Sequence, residues 1–361
     1  SQMLFMFSRC VSTSKCILRT TYSSKNFSLL HVLSLRMSTK PSVLVTMTGI
    51  AEEALNMLGQ RCTLEIWPQK APMPRPEMLR RIVGKDALFC FLTDKIDREL
   101  LDAAGSQLKV IGTMSVGYDH VDITECHKRG IKVGNTPDVL TDATAELGMA
   151  LLLSTTRRLF EAHNEVMSGG WSRTPWNPSW MCGTEIRGST VGIVGMGNVG
   201  FAITERLKPF KVGRFLYFSR HPKPHADAIG AEFTSFAALL QQSDIIIVTC
   251  ALTPDTRGLF NKSAFAQMKK TAILVNISRG PVVDQDALYE ALAKKQICAA
   301  GLDVMTPEPL PPDHPLTKLS NCVLLPHIGS ATERTRSDMA LLTARNILSG
   351  LGGQPLPSAV C

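Results

Sequence analysis

Ten short, β-rich apolar runs punctuate this chain, and nearly all are continuous rather than alternating: SVLVT (42–46), TLEIW (63–67), ALFCFL (87–92), KVIGTM (109–114), TVGIVG (190–195), RFLYFS (214–219), DIIIVTC (244–250), AILVNIS (272–278), AAGLDV (299–304) and CVLLP (322–326). A strand wetted on one face must alternate polar and apolar residues, whereas a strand covered by helices on both faces need not. Stretches of helical period separate the runs, so the chain reads as parallel, doubly wound α/β. With 361 residues there is room for two such sheets, domains averaging about 150 residues. The first five or so units would build one, and the block from Thr190 the other.

The second block opens on a cofactor signal. Gly195-Met196-Gly197-Asn198-Val199-Gly200 follows the strand TVGIVG and leads into the helical pattern FAITERLKPF. The first glycine permits a tight turn, the second lets backbone N–H groups approach a pyrophosphate, and the third lets helix sit close to strand. An acidic residue about 20 positions on would accept the ribose hydroxyls of NAD. That position holds Ser219 followed by Arg220. Both can donate to a 2′-phosphate that an acid would repel, so NADPH is the expected cofactor, with NADH as the alternative.

In doubly wound sheets, ligands bind beyond the carboxyl ends of the strands. There AILVNIS is followed by Arg279, AAGLDV ends near Asp303 with Glu308 just beyond, and CVLLP is followed by His327. These are the parts for a carbonyl reduction. His327 would donate the proton, since imidazole titrates near neutrality. Glu308 would fix its tautomer and keep it protonated, and Arg279 would grip a substrate carboxylate by two parallel N–H bonds. The other histidines, His120 beside Asp119 included, read as structural groups.

Thirty-nine basic against 31 acidic residues give a formal charge of +8, which invites a nucleic-acid partner. Six of the basic residues (Arg9, Lys15, Arg19, Lys25, Arg36 and Lys40) lie in the first 40 positions, which hold no acid, so the remainder carries only +2. A nucleic-acid face on the folded body is therefore not expected. Residues 1–40 read either as a mitochondrial transit peptide or as an extension ahead of Met37 that a cytosolic chain lacks. No apolar run approaches the roughly 18 residues of a membrane span. The ten cysteines include no Cys-x-x-Cys, so free thiols are expected and no metal. From about Asp142 to Val166 the pattern is helical, and the loop Trp171–Gly183 after it carries three of the four tryptophans. Such a loop is either packed on its own domain or an arm for a second subunit, the reading favoured here.

Together SVGYDHVD (115–122), GMGNVG, NISRG (276–280), GLDV with EPLP (301–310) and PHIGSAT (326–332) resemble the D-isomer-specific 2-hydroxyacid dehydrogenases, in the right order, from about Ser42 to the C-terminus. NTPDVLTDATAEL (135–147), the tryptophan loop, FLYFSR and TPEPLPPDHPL (306–316) are most similar to the branch that reduces glyoxylate and hydroxypyruvate. The resemblance implies a substrate domain of residues 41–138 and 330–361 with a flavodoxin-like sheet. Into it is inserted a dinucleotide domain of residues 139–329, whose segment 167–188 embraces the partner of a homodimer. It also implies that Val116 and Gly117 backbone with Arg279 hold the substrate carboxylate, that Leu92 and Ser330 border the small substrate group, and that Trp176 reaches the neighbouring site. Thr253, Ile277, Ser278, Asp303, His327 and Gly329 would line the cofactor, with Asp303 at the nicotinamide carboxamide. The implied reaction is NADPH-dependent reduction of glyoxylate to glycolate and of hydroxypyruvate to D-glycerate. The alternatives are a phosphoglycerate- or lactate-type dehydrogenase, and a nicotinamide-sensing binding protein like the C-terminal-binding-protein corepressors, which have an acid at the Ser219 position.

Overall fold

The apolar runs become strands of two parallel sheets in a computed structural model that describes residues 40–361. The first sheet contains β1 (Ser42–Val45), β2 (Thr63–Ile66), β3 (Ala87–Cys90), β4 (Val110–Thr113) and β5 (Lys132–Gly134), in the order β2-β1-β3-β4-β5. That is the flavodoxin-like arrangement. The second contains β6 (Thr190–Val194), β7 (Arg214–Phe218), β8 (Ala231–Phe233), β9 (Ile245–Val248), β10 (Ile273–Asn276), β11 (Ala299–Leu302) and β12 (Cys322–Leu324), in the order β12-β11-β10-β9-β6-β7-β8. Its order reverses at β6, as in dinucleotide-binding sheets. The leader expected over residues 1–40 lies, except for Lys40, outside the described residues.

Every residue of β3, β4, β9, β10 and β11 is buried, which is why these strands do not alternate. Successive side chains feed opposite layers: Leu44 of β1 joins Leu88 and Ile111, whereas Val43 and Val45 join Phe89 and the face of the C-terminal helix that carries Ala340 and Ile347. Ile245 and Ile247 of β9 pack against one layer of the second sheet, and Ile246 and Val248 against the other. Truncating one of these, Ile247→Ala for example, would cost about 2–5 kcal/mol in lost transfer energy and cavity.

Two elements escape the run pattern and one expected helix is divided. β5 and β8, three residues each, sit at sheet edges, where a strand needs only one neighbour and no long apolar run. The helical stretch expected to be continuous to Val166 is two helices, Thr141–Thr156 and Leu159–Met167. Arg158 between them adopts φ 56°, and its guanidinium binds Glu161 and the carbonyl of Cys182. The first helix lies on the second sheet with eight buried residues, while the second buries none and so departs from the core.

The chain crosses from the first sheet to the second after Asn135 and returns after His327. The returning helix Glu333–Leu351 is capped by the Thr332 hydroxyl, which accepts from Thr335 N–H. It packs on β3, β4 and β5. The last residues pair with β5, Val360 N–H donating to Val133 O at 2.7 Å and Val133 N–H to Cys361 O at 3.1 Å. No helix among the described residues is long and apolar enough to cross a membrane. The eight described cysteines are unpaired.

Candidate active site

Sheet register collects the polar strand ends. Asn276, Leu302 and the partner of Leu302, Leu324, are aligned across β10, β11 and β12, so Arg279, Asp303 and His327 emerge at one edge. They border a cavity of about 370 Å3 between the carboxyl ends of the two sheets. Leu92, Val116, Gly117, Thr253, Ile277, Ser278, Gly329 and Ser330, each expected at the site, line it too.

His327 Nδ1 lies 2.8 Å from Glu308 Oε2, which leaves Nε2 for the cavity. Glu308 Oε1 accepts Met305 N–H at 2.9 Å. Burial pushes the Glu308 carboxyl up, but the hydrogen bonds from His327 and Met305, with the charges of His327 and Arg279, outweigh it and hold the group below the usual range. His327 has φ 55°, a left-handed conformation that non-glycine residues seldom adopt without support. Asp303 supplies that support. Its carbonyl accepts His327 N–H at 2.9 Å, and its carboxylate oxygens accept Ile328 N–H at 2.8 Å and Gly329 N–H at 2.9 Å. Burial of Asp303 dominates these bonds and raises its carboxyl above the ordinary value. Expected beside a nicotinamide, Asp303 is thus also the buckle of the histidine turn.

Arg279 reaches across the cleft. Nε donates to Asp119 Oδ1 at 3.0 Å, and the guanidinium also donates to Ser278 O at 2.9 Å. A Cβ on Gly117 would lie 2.1 Å from the outer nitrogen of Arg279, so only glycine lets the guanidinium rest on this turn. Asn135 donates to Val116 O at 2.8 Å, and Asn276 accepts from both the N–H and the hydroxyl of Ser278 while donating to Arg279 O at 3.1 Å. Beneath the turn, His120 Nε2 is 2.9 Å from Thr113 Oγ1, which is 2.8 Å from Ser115 Oγ, which donates to Gly117 O at 2.8 Å. Because the last acceptor is a carbonyl, each hydroxyl must pass its proton forward and His120 must carry N–H at Nε2. Burial, opposed by Asp119 and aided by the Arg279 charge, lowers His120 to about 4, so it is neutral.

The glycine loop fits a dinucleotide. Gly195 has φ 103°, and a Cβ there would meet Cys250 N at 2.5 Å; a Cβ on Gly200 would meet Gly195 O at 2.4 Å. Gly197, in contrast, faces open space with nothing within 4 Å, at the start of the ten-residue helix Asn198–Leu207, where N–H groups favour phosphate. Val199 lines the cavity, whereas Gly195, Gly197, Asn198, Gly200, Ser219 and Arg220 are not part of its wall, and Asn198 Nδ2 donates to Asp138 Oδ1. Ser219 Oγ donates to His221 O at 2.6 Å. Arg220 is exposed, and no hydrogen bond or ion pair occupies it among the described residues.

Trp176 stands apart, 77% exposed and not part of the cavity wall. The motifs left Asp119, Asn135, Asn276 and the His120 relay unassigned. Their placement inside the motifs, Asp119 and His120 in SVGYDHVD, Asn135 at the head of NTPDVLTDATAEL and Asn276 in NISRG, is the signal that could have marked them.

Residues 149–329 match the family model described as D-isomer specific 2-hydroxyacid dehydrogenase, NAD binding domain. Glyoxylate reductase/hydroxypyruvate reductase of Homo sapiens is 57% identical over 298 residues, 82% of this chain and 90% of that protein. Glyoxylate reductase of Thermofilum pendens is 47% identical over 324 residues, 89% of this chain and 94% of that protein. Among solved structures, the NADPH-dependent glyoxylate/hydroxypyruvate reductase of Sinorhizobium meliloti in complex with NADP and malonate superposes with a TM-score of 0.77 at 30% identity, covering 90% of this chain and 97% of that one. The chain belongs to the D-isomer specific 2-hydroxyacid dehydrogenases, a family of NAD(P)-dependent oxidoreductases.

Proposed function

We propose that this enzyme reduces glyoxylate to glycolate and hydroxypyruvate to D-glycerate, with NADPH as preferred reductant. The observation that carries the reading is the His327–Glu308 pair at 2.8 Å, set at the same cleft as Arg279 and the glycine-flanked turn. A 2-keto acid places its carboxylate on the N–H groups of Val116 and Gly117 and on the free edge of the Arg279 guanidinium, which fixes C2 near His327. A nicotinamide bound in the cleft supplies the hydride for C2. His327 Nε2 gives its proton to the carbonyl oxygen as negative charge develops there, and recovers one from solvent after product leaves. Glu308, 2.8 Å from Nδ1, holds the ring with Nε2 turned toward the substrate carbonyl.

The cofactor preference rests on Ser219 and Arg220, which bring no carboxylate to that position: Arg220 offers a 2′-phosphate a guanidinium unpaired among the described residues, and the Ser219 hydroxyl, which here donates to His221 O, reaches a phosphate only by turning away from that carbonyl. The domain division at residues 138 and 330 is supported by the chain's two crossings between sheets and by the pairing of Val360 with Val133. A homodimer is supported by the helix Leu159–Met167, which buries no residue and exposes Leu159, Phe160, Val166 and Met167 near exposed Trp171 and Trp176. Apolar surface of this kind marks an interface.

Initial rates of NADPH and NADH oxidation with glyoxylate, hydroxypyruvate and pyruvate test the proposal. NADPH-linked turnover of the first two, with little on pyruvate, is expected. Tight nucleotide binding with no turnover of any would favour the sensing protein instead.

A further inference from the structure

Arg336 is a second cation in the cleft, and nothing in the reaction described above uses it. It lines the cavity with Met339, one turn further along the helix Glu333–Leu351, so both project from one helix face. Met339 packs with Met114 and Leu140 in the layer between that helix and the first sheet. Arg336 therefore projects from the helix packed on the first sheet, into the cavity that Leu92 and Ser330 also line, and not from the glycine loop.

The two arginines differ in their partners. Arg279 is engaged by Asp119 and by Ser278 O. The Arg336 side chain has no hydrogen bond and no ion pair among the described residues, though it is only partly exposed. Asp303 attracts it without hydrogen-bonding to it, the carboxylate accepting instead from Ile328 and Gly329 N–H. Burial accordingly lowers the Arg336 guanidinium below its ordinary value, against the pull of Asp303. A desolvated guanidinium without an acceptor is unfavourable, and a ligand oxygen would relieve it.

We infer that Arg336 is a specificity residue that donates to an oxygen on C3 of the substrate, so that the site selects 3-oxygenated 2-keto acids over their 3-deoxy analogues. The inference rests on the reductase reading above. With the carboxylate on Gly117 and Arg279 and C2 at His327, the C3 substituent is the part left to meet the wall of Leu92, Ser330 and Arg336. A site that hydrogen-bonds a substrate hydroxyl discriminates strongly against the analogue lacking it, because its own donor is then left unpaired.

Hydroxypyruvate and pyruvate differ only in that hydroxyl. In Arg336→Gln the ratio of their kcat/KM values should fall about 10- to 100-fold, the loss on hydroxypyruvate exceeding that on pyruvate and glyoxylate by this factor, with NADPH affinity intact. Arg336→Lys should retain part of the selectivity, and it carries the test should Arg336→Gln melt early. Equal losses on all three acids would make Arg336 a structural group and overturn the inference. So would weakened NADPH binding with an unchanged ratio, which would assign the guanidinium to the cofactor. If the wild-type enzyme turned over none of the acids, the reductase reading would fall separately. Calorimetric affinities of the NADP-loaded protein for D-glycerate and D-lactate would then decide: a preference for D-glycerate lost in Arg336→Gln supports the inference, and equal affinities in wild type sink it.

Discussion

The glycine loop and the Ser115–Asp119 turn face the same cleft and are built by opposite means. In the loop, Gly195 and Gly200 are pressed against backbone of their own sheet, and Gly197 is left open. In the turn, Gly117 is pressed against the side chain of Arg279, 162 positions away and rooted in the other sheet. The close glycine contacts of the cofactor wall are thus made within one sheet, with Asn198 alone reaching out to Asp138 at the crossing between sheets, while the substrate wall exists only once the second sheet lends it a guanidinium. A local cradle can be altered without disturbing the keto acid, and a shared one cannot be altered on either side without disturbing it.

His327 stands between these walls, and the largest effect is expected there. His327→Ala should lower kcat by about a hundredfold or more, the scale of a lost general acid, while leaving affinity for both ligands nearly intact. Unchanged turnover would remove His327 from the chemistry. The comparison itself is broken or sharpened by a pair of glycine variants. Gly117→Ala must push the Arg279 guanidinium aside and should cost about 100-fold in kcat/KM for the keto acid, because small misplacements of an orienting group are that expensive. Its NADPH affinity should not move. Gly197→Ala adds a methyl to open space, so the fold should keep its melting temperature while the methyl obstructs the pyrophosphate, weakening the cofactor on the order of tenfold. If both variants harmed both ligands alike, the two walls would not be separable.

Farther along the cofactor wall, Ser219→Asp with Arg220→Ala should shift preference from NADPH toward NADH by about tenfold, the worth of a charge-assisted contact to phosphate. Fluorescence titration with each nucleotide reads the shift. Retention of the NADPH preference would place the 2′-phosphate contacts elsewhere.

The same contrast decides what could be read from the sequence. The glycine loop was legible because strand, turn and helix are consecutive in the chain, so the pattern shows even though the neighbour that excludes a side chain at Gly195, Cys250, lies on another strand end. Arg279, Glu308 and His327 were legible because parallel register delivers strand ends to one edge, whatever the loops do. Asp119 and Arg336 were not. Their meaning comes from juxtapositions across the cleft, and a charged residue beside a turn or in a helix is ordinary on its own. The division of the 141–167 stretch was hidden for a related reason, since Arg158, where the helix breaks, bonds to the carbonyl of Cys182 at the far end of the tryptophan loop.

The smallest effect concerns what supports the shared wall from below. His120 is held neutral at about 4, donating through Thr113 and Ser115 to the carbonyl of Gly117. Unfolded, the imidazole would titrate near 6.5, so between about pH 6.5 and 4 the unfolded chain binds more protons than the native one. Stability must then rise with pH across that window and be lost as pH falls through it. From pH 7.5 to 5.5 this one group should remove about 1 kcal/mol, measured as the fall in urea midpoint at constant slope. In His120→Asn that increment should vanish while the acid sensitivity due to carboxylates such as Glu308, which begins lower, remains. The described glycine-loop contacts include no buried histidine of this kind, so acid should loosen the turn that receives the keto acid before it touches the nucleotide site. Equal pH slopes in wild type and variant would instead mean that His120 takes up its proton without leaving the relay, and that the substrate wall draws no stability from a neutral imidazole.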